Sequence, residues 1–317
     1  LEYLCWRMDE VGGVCVQTES ELAGVNMLFG AAAAGARALT TTAGPGFSLK
    51  QEGISYLCSS DLPAVIVDVQ RIGCGLGDIF MGQGDYWQLT RGGGHGDYHT
   101  LVLAPASVQE SVELASEAFD LAEKYRHPVI MATDATIGQM MEPVELPEMR
   151  EHDMDKFDWA VRPRCEGEEQ RAIWNRYWDW EDGGRKYPEY VLNKYTEMEE
   201  NEQRWENFYT DDADIVIVAY GTSSRIAKSA VLRARKEGIK VGLLRPITLW
   251  PYPKNAFDQL PHVKAFLDAE MNILGQMKDD IILADKNRRP VEFFGSYWDP
   301  INEFELAAKA REMAERY

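Results

Sequence analysis

No Cys-x-x-Cys pair occurs in the sequence, which excludes the common zinc and iron–sulfur ligand spacings from this chain. Its five cysteines, Cys5, Cys15, Cys58, Cys74 and Cys165, are scattered and odd in number. They read as reduced, buried or half-buried thiols of a cytoplasmic protein. No apolar run reaches the ~20 residues needed to span a bilayer. No basic stretch followed by an apolar core marks a secretory signal. Basic residues are scarce: 33 Lys and Arg stand against 52 Asp and Glu, a net charge of -19. Nucleic acid and membrane surfaces are therefore not expected partners, because phosphate-rich bodies need Lys and Arg. Gly-x-Gly-x-x-Gly between a strand and a helix is missing too, which removes the usual sign of a dinucleotide site.

What is present suits a globular α/β protein. The chain has 317 residues, 45% of them hydrophobic, enough for about two domains at ~100–200 residues each. Leu1 to Met8 reads as the middle of an amphipathic helix, with Leu1, Leu4, Cys5 and Met8 on one face, as though the front were shortened. Val14–Gln17 is predicted to be a short strand. Thr18 to about Arg37 has a helical stripe of Leu22, Val25, Leu28 and Phe29. Strand Ala38–Thr42 follows, then the turn Gly44-Pro45-Gly46 and a helix to about Cys58. Pro63–Val69 is a near-continuous apolar run of the kind buried in a parallel sheet. Leu101–Leu103, a helix from Val108 to Tyr125 and the strand Pro128–Thr133 continue the alternation that predicts a parallel sheet.

From about Pro143 to Asp212 the texture becomes charged and rich in tryptophan, with Trp159, Trp174, Trp178, Trp180 and Trp205. This stretch is predicted to be a long connection wrapping the surface or a partner, because so many indoles are costly to leave in water. A second α/β unit opens at Asp214–Ala219. It continues with a helix Ser224–Lys236, strands Lys240–Leu244, Val263–Ala269 and Val291–Phe294, and a C-terminal helix. The expected division is 1–145, 146–211 and 212–317.

Several residues could carry chemistry. Thr18-Glu-Ser-Glu21 fits a capping box in which Glu21 folds back onto a backbone amide. It equally places a carboxylate at the carboxyl end of a parallel strand, where α/β proteins put their ligand clefts. Gly44, Pro45 and Gly46 read either as an ordinary strand-to-helix turn or as backbone shaped for close approach to a ligand. Arg71 follows an apolar strand at the same sheet edge. It reads as a surface ion pair or as a guanidinium that holds a carboxylate through two parallel hydrogen bonds. His95 and His99 lie in or next to a glycine-rich stretch that disfavours the helix a metal pair would need.

Taken together, the motifs resemble the α subunit of 2-oxoacid:ferredoxin oxidoreductases. They include Gln17-Thr-Glu-Ser-Glu-Leu-Ala-Gly-Val-Asn-Met27, Gly44-Pro-Gly-Phe-Ser-Leu-Lys-Gln-Glu-Gly-Ile-Ser-Tyr56 and Gln83-Gly-Asp-Tyr86. Leu103-Ala-Pro-Ala-Ser-Val-Gln-Glu110, Leu244-Arg-Pro-Ile-Thr-Leu-Trp-Pro251 and Glu270-Met-Asn272 follow in the same order. Gly92-Gly-Gly-His-Gly-Asp-Tyr98 and Gly138-Gln-Met-Met-Glu-Pro-Val144 look most like the branched-chain, 2-oxoisovalerate members. The resemblance implies a thiamine-diphosphate pyrimidine-binding domain followed by a transketolase C-terminal-like α/β domain.

It further implies that Glu21 contacts N1′ of the aminopyrimidine, that Gly44, Pro45 and Gly46 form the loop beside the cofactor, and that Arg71 with Gly46 meets the substrate. CoA would be co-substrate. A β subunit would carry the diphosphate and Mg²⁺, a ferredoxin-like subunit the 4Fe–4S clusters, and a γ subunit and ferredoxin would complete the set. The family's Tyr-Pro-Ile-Thr-Pro segment would lie before Leu1. The family's usual Arg-Gly-Gly-Pro reads Arg71-Ile-Gly-Cys74 here, which alters the substrate loop. A 2-oxoglutarate or aromatic 2-oxoacid subunit, a non-catalytic scaffold and a transketolase-like enzyme are the alternatives.

Overall fold

A computed structural model describes residues 2–149, 152–162, 171–178 and 184–317; Leu1, Cys165 and Trp180 lie outside them. The chain opens with a short helix α1 (Glu2–Arg7) and a 3₁₀ turn. Its apolar residues find no core, since none of α1 is buried. The expected reduced thiols are corrected at two positions. Gly12, with φ +71°, reverses the chain and brings Cys15 back to Cys5, and the two form a disulfide. The expected strand at Val14–Gln17 is not formed. No neighbouring strand offers it a ladder, and Val14 is 82% exposed.

The first unit alternates as predicted. Helix α2 (Glu21–Ala33) leads to β1 (Leu39–Thr42), α3 (Pro45–Ser59) and β2 (Ala64–Gln70). Then come α4 (Tyr86–Arg91), β3 (Leu101–Leu103), α5 (Val108–Tyr125), β4 (Pro128–Asp134) and α6 (Ala135–Gln139). Burying β4 on both sides requires a strand without polar alternation, and all seven of its residues are buried. Helix α5 starts where the Ser107 hydroxyl accepts the Glu110 amide, and it buries Leu114, Ala118, Leu121, Ala122 and Tyr125 along one stripe.

The predicted connection is more ordered than its composition suggests. It holds helix α7 (Tyr187–Asn201) and strand β5 (Trp205–Phe208). Trp159 packs against the core with the Arg126 guanidinium over its ring, and Trp205 lies in β5. Trp174 and Trp178 are exposed, against expectation. The reason α7 escaped the reading is its single buried residue, Met198: a helix held mostly by polar contacts shows little apolar period.

The rest of the chain comprises β6 (Ile215–Val218), α8 (Gly221–Lys236), β7 (Val241–Pro246), β8 (Thr248–Trp250) and α9 (Lys254–Asp258). It ends with β9 (Ala265–Glu270), α10 (Lys278–Ala284), β10 (Val291–Gly295) and α11 (Glu303–Arg316). Two five-stranded sheets result, ordered β1-β2-β4-β3-β8 and β10-β9-β6-β7-β5. The pairings are parallel except at β8 and β5, which run antiparallel to β3 and β7. Strand β8 joins the first sheet although it follows β7 of the second almost at once, so one extended segment is shared between the sheets.

One apolar core holds residues of both sheets, among them Ile66, Val102, Val218 and Phe266, and buried polar bonds run beside it at the seam between the sheets. Gln83 is fully buried there: its Nε2 donates to Tyr220 O, and its Oε1 accepts from Ser223 Oγ and Met271 N. Asp134 at the end of β4 accepts from Thr222 N and Thr222 Oγ1 at the start of α8. Asn272, whose amide also donates to Glu270, and Gln276 form a clamp on residues 83–87. Asn272 Nδ2 donates to Gln83 O, Gln276 Nε2 donates to Gly84 O, and Trp87 N donates to Gln276 Oε1.

Candidate active site

The carboxyl ends of β1 and β2 bring the sequence-predicted residues together. Glu21 is the first residue of α2, and Ser20, not Thr18, caps that helix by accepting the Ala23 amide. The capping box is thus not formed: a carboxylate at the first helical position cannot fold back as one at the third does. Instead the Glu21 side chain lies against the next turn. A Cβ added to Gly46 would sit 2.9 Å from Glu21 Oε1 and 2.3 Å from Thr42 Oγ1. Among the described residues no donor hydrogen-bonds the Glu21 carboxylate. Only glycine leaves this cradle open.

Gly44 caps α3 at φ +50°, with Pro45 as the first helical residue. A positive φ there suits glycine, and contact adds a second reason. A Cβ on Gly44 would be 3.0 Å from Arg71 Nε, so the arginine stem lies along the turn. Arg71 follows β2 directly and donates Nη2 to Leu76 O at 2.7 Å. Its Nη1 forms no hydrogen bond among the described residues.

Other members of this site carry weaker sequence signals. Lys50 is buried, and its Nζ donates to Glu21 O at 3.3 Å and to Thr40 Oγ1 at 3.2 Å. Burial lowers its pKa, and the charge of Glu21 partly restores it. Gly24 makes room for this ammonium, since a Cβ there would lie 2.8 Å from Nζ. Asp68 is a single carboxylate inside an apolar strand, the one hint that sequence offered of a polar pocket beneath β2. In register it stands beside Thr42. The glycine-rich stretch before β3 serves structure: Tyr98 OH accepts from the amides of Gly93 and Gly94 and donates to Gln51 Oε1. His99 stacks on Trp250, and among the described residues no group of acids, histidines and cysteines could hold a metal ion.

Residues 4–207 match the family described as pyruvate flavodoxin/ferredoxin oxidoreductase, thiamine diP-binding, and residues 213–297 match pyruvate:ferredoxin oxidoreductase core domain II. The chain belongs to the 2-oxoacid:ferredoxin oxidoreductase family. Among its relatives within that family is ketoisovalerate oxidoreductase subunit VorB of Methanothermobacter thermautotrophicus. It is 49% identical, over 96% of this chain and 86% of the relative. The 2-oxoglutarate synthase subunit KorA of Methanocaldococcus jannaschii is 34% identical, over 90% of this chain and 86% of its own length.

Among solved structures, the 2-oxoglutarate:ferredoxin oxidoreductase from Magnetococcus marinus has the same fold as this family member. Its TM-score is 0.81 at 23% identity, covering 99% of this chain and 59% of that one. This chain therefore spans about three fifths of that larger polypeptide. A split gene transketolase matches at a TM-score of 0.55 and 13% identity, over 96% of this chain and 82% of its own. The expected pyrimidine-binding and transketolase-like α/β architecture is borne out. The names VorB and KorA denote subunits, so the relatives work as parts of multi-subunit oxidoreductases.

Proposed function

We propose that this chain is the subunit that holds the aminopyrimidine half of thiamine diphosphate in an oxidoreductase acting on a branched-chain 2-oxoacid, 2-oxoisovalerate (3-methyl-2-oxobutanoate). The observation that carries the reading is the Glu21 carboxylate, directed at the Gly46 cradle with no hydrogen-bond donor on it among the described residues. Such a carboxylate fits a ring nitrogen that must share a proton. Gly44, Pro45 and Gly46 let that ring approach the backbone, as a Cβ at Gly46 would collide with Thr42 and Glu21.

When bound, thiamine diphosphate supplies the carbon nucleophile that attacks the 2-oxoacid carbonyl and takes up the electrons left by loss of carbon dioxide. Glu21 holds or moves a proton at N1′ and so tunes the ring, a kind of positioned transfer worth roughly 10²–10⁴ in rate. Arg71 binds the substrate carboxylate through Nη1 and the remaining Nη2 hydrogen, a charge-assisted pair. CoA takes the acyl group. In this reading a β subunit holds the diphosphate and Mg²⁺, a ferredoxin-like subunit holds the 4Fe–4S clusters, and a γ subunit and ferredoxin complete the electron path. The 2-oxoisovalerate preference rests on the ketoisovalerate relatives at 48–49% identity.

The test is to purify the chain with its co-expressed partners and assay dye reduction with CoA and 2-oxoisovalerate, 2-oxoglutarate or pyruvate. In the Glu21→Gln complex we expect turnover to fall by about 10² or more while the subunits still co-elute. Near-wild-type turnover would remove Glu21 from the chemistry. A complex inert toward every 2-oxoacid would leave the chain as a scaffold.

A further inference from the structure

Behind Arg71 lies a buried polar cluster with unmet hydrogen bonds. Both oxygens of Asp68, Nε2 of Gln70, Nε of Arg71 and Oδ2 of Asp85 are shielded from solvent without a hydrogen bond of good geometry, although the Gly44 amide acts on Asp68 and the Arg71 amide on Asp85. Each unmet group costs about 1–3 kcal/mol, and folded proteins leave few of them, so a concentration at one spot calls for a reason. Asp68, Gln70 and Arg71 are near neighbours on and just after β2. Asp85 arrives from the other side. Met81 bridges to Arg71, and Gly82 packs so closely that a Cβ would lie 2.8 Å from the Arg71 carbonyl carbon. The seam clamp on residues 83–87 then fixes the chain on both sides of Asp85. Asp85 Oδ1 accepts from Gln88 Nε2, which leaves its other oxygen turned inward.

The two carboxylates feel each other and the arginine. Burial raises the pKa of both, and the charge of Asp85 raises Asp68 further. The Gly44 amide and the Arg71 charge oppose that rise at Asp68; at Asp85 the Gln88 side chain, the Arg71 amide and the Arg71 charge oppose it. Two carboxylates sharing a water-poor pocket resist being ionised together. Such negative charge as the pair carries faces the Arg71 guanidinium, whose charge in turn favours the ionised form of both acids.

We propose that Asp68 and Asp85 are positioning residues that hold the Arg71 guanidinium against Gly44 and thereby set its grip on the substrate carboxylate. The proposal rests on the reading of Arg71 as the carboxylate-binding residue. Because the acids act only through Arg71, their effect must vanish when Arg71 is gone. Such non-additivity separates a positioning role from a general loss of stability.

The experiment uses the assembled complex, stripped of thiamine diphosphate so that no turnover occurs, and measures binding of 3-methyl-2-oxobutanoate by calorimetry. It compares wild type, Asp85→Asn, Asp68→Asn, Arg71→Ala and each Asn variant combined with Arg71→Ala. Each Asn change is expected to weaken binding about tenfold in the wild-type background and less than twofold beside Arg71→Ala. In the loaded enzyme KM for the 2-oxoacid rises likewise, while KM for CoA and kcat stay within twofold. If Asp85→Asn does not assemble, Asp68→Asn carries the test. Equal losses in both backgrounds, no loss in either, or parallel changes in every kinetic constant would overturn the proposal. A wild-type complex that neither binds nor turns over any 2-oxoacid overturns the parent reading and this one with it. Binding by wild type beside unresponsive Asn variants overturns only this one.

Discussion

At the residue scale, charge state follows from what surrounds each group rather than from the residue type. His127 shows this most clearly. Its Nε2 meets His99 O at 2.6 Å, its Nδ1 is buried without a partner, and the ring lies edge-on to Tyr195. Burial, helped by the charge of Lys194, lowers its pKa to about 3 from an ordinary 6.5. The unfolded chain therefore binds a proton that the folded chain refuses. Stability from this site is full above pH ~6.5 and is lost as the pH falls toward 3, with a slope of at most ~1.4 kcal/mol per pH unit. In denaturant titrations of wild type and His127→Gln, the variant should lose less stability between pH 6.5 and 4. Parallel acid slopes would show that His127 does not govern acid sensitivity. Glu21 makes the same point about environment. Pattern alone allowed a cap or a catalytic group, and only the placement of Ser20 as the cap left the Glu21 carboxylate to the cradle.

At the element scale, α7 is attached by charge. Asp61 is buried at the end of α3, with φ +50°. Its carboxylate accepts from Lys194 Nζ, Tyr190 OH and Arg176 Nε, and Arg126 Nε donates to Asp61 O. Burial alone would raise its pKa, but Lys194, Tyr190 and Arg176 together hold it below the usual range. Removing one partner of a buried pair leaves the other charge uncompensated, which costs about 3–5 kcal/mol. Asp61→Asn should therefore lower the urea midpoint and open residues 184–201 to protease before the rest of the chain. An unchanged cleavage pattern would mean that α7 is held by its other contacts. This strap was illegible in the sequence because its partners are charged, lie far apart along the chain and leave no apolar period. Helix α5, by contrast, forms over Val108–Tyr125 as the sequence predicts, and the structure adds its Ser107 cap and buried stripe.

At the scale of the molecule, the two sheets are tied by a shared apolar core, by buried polar contacts and by shared chain. Arg245 on β7 pairs with Glu110 on α5, and β7 runs on into β8 of the other sheet. Gln83 is the densest knot of this seam, with bonds to Tyr220, Ser223, Met271 and Asn272. Truncating it strands several buried groups at ~1–3 kcal/mol each. Calorimetry of Gln83→Ala should show a lower melting temperature and a broadened or split transition where wild type melts as one. A single sharp transition at the wild-type temperature would deny the seam its role in coupling the sheets.

The alternation of strand and helix, the parallel sheets and the gathering of Gly44, Pro45, Gly46 and Arg71 at one edge were determined by the sequence itself. Apolar runs must be buried, and short βα turns place their ends on one side of a sheet. The motifs sufficed to indicate the family as well. The tertiary structure alone decided that Glu21 reaches the Gly46 cradle rather than capping its helix, with no strand before it to carry it there, that β8 crosses to the first sheet, and that Asp68 and Asp85 lie close enough to Arg71 to feel its charge. These are contacts between residues distant in the chain, set by packing and charge, and no local period records them.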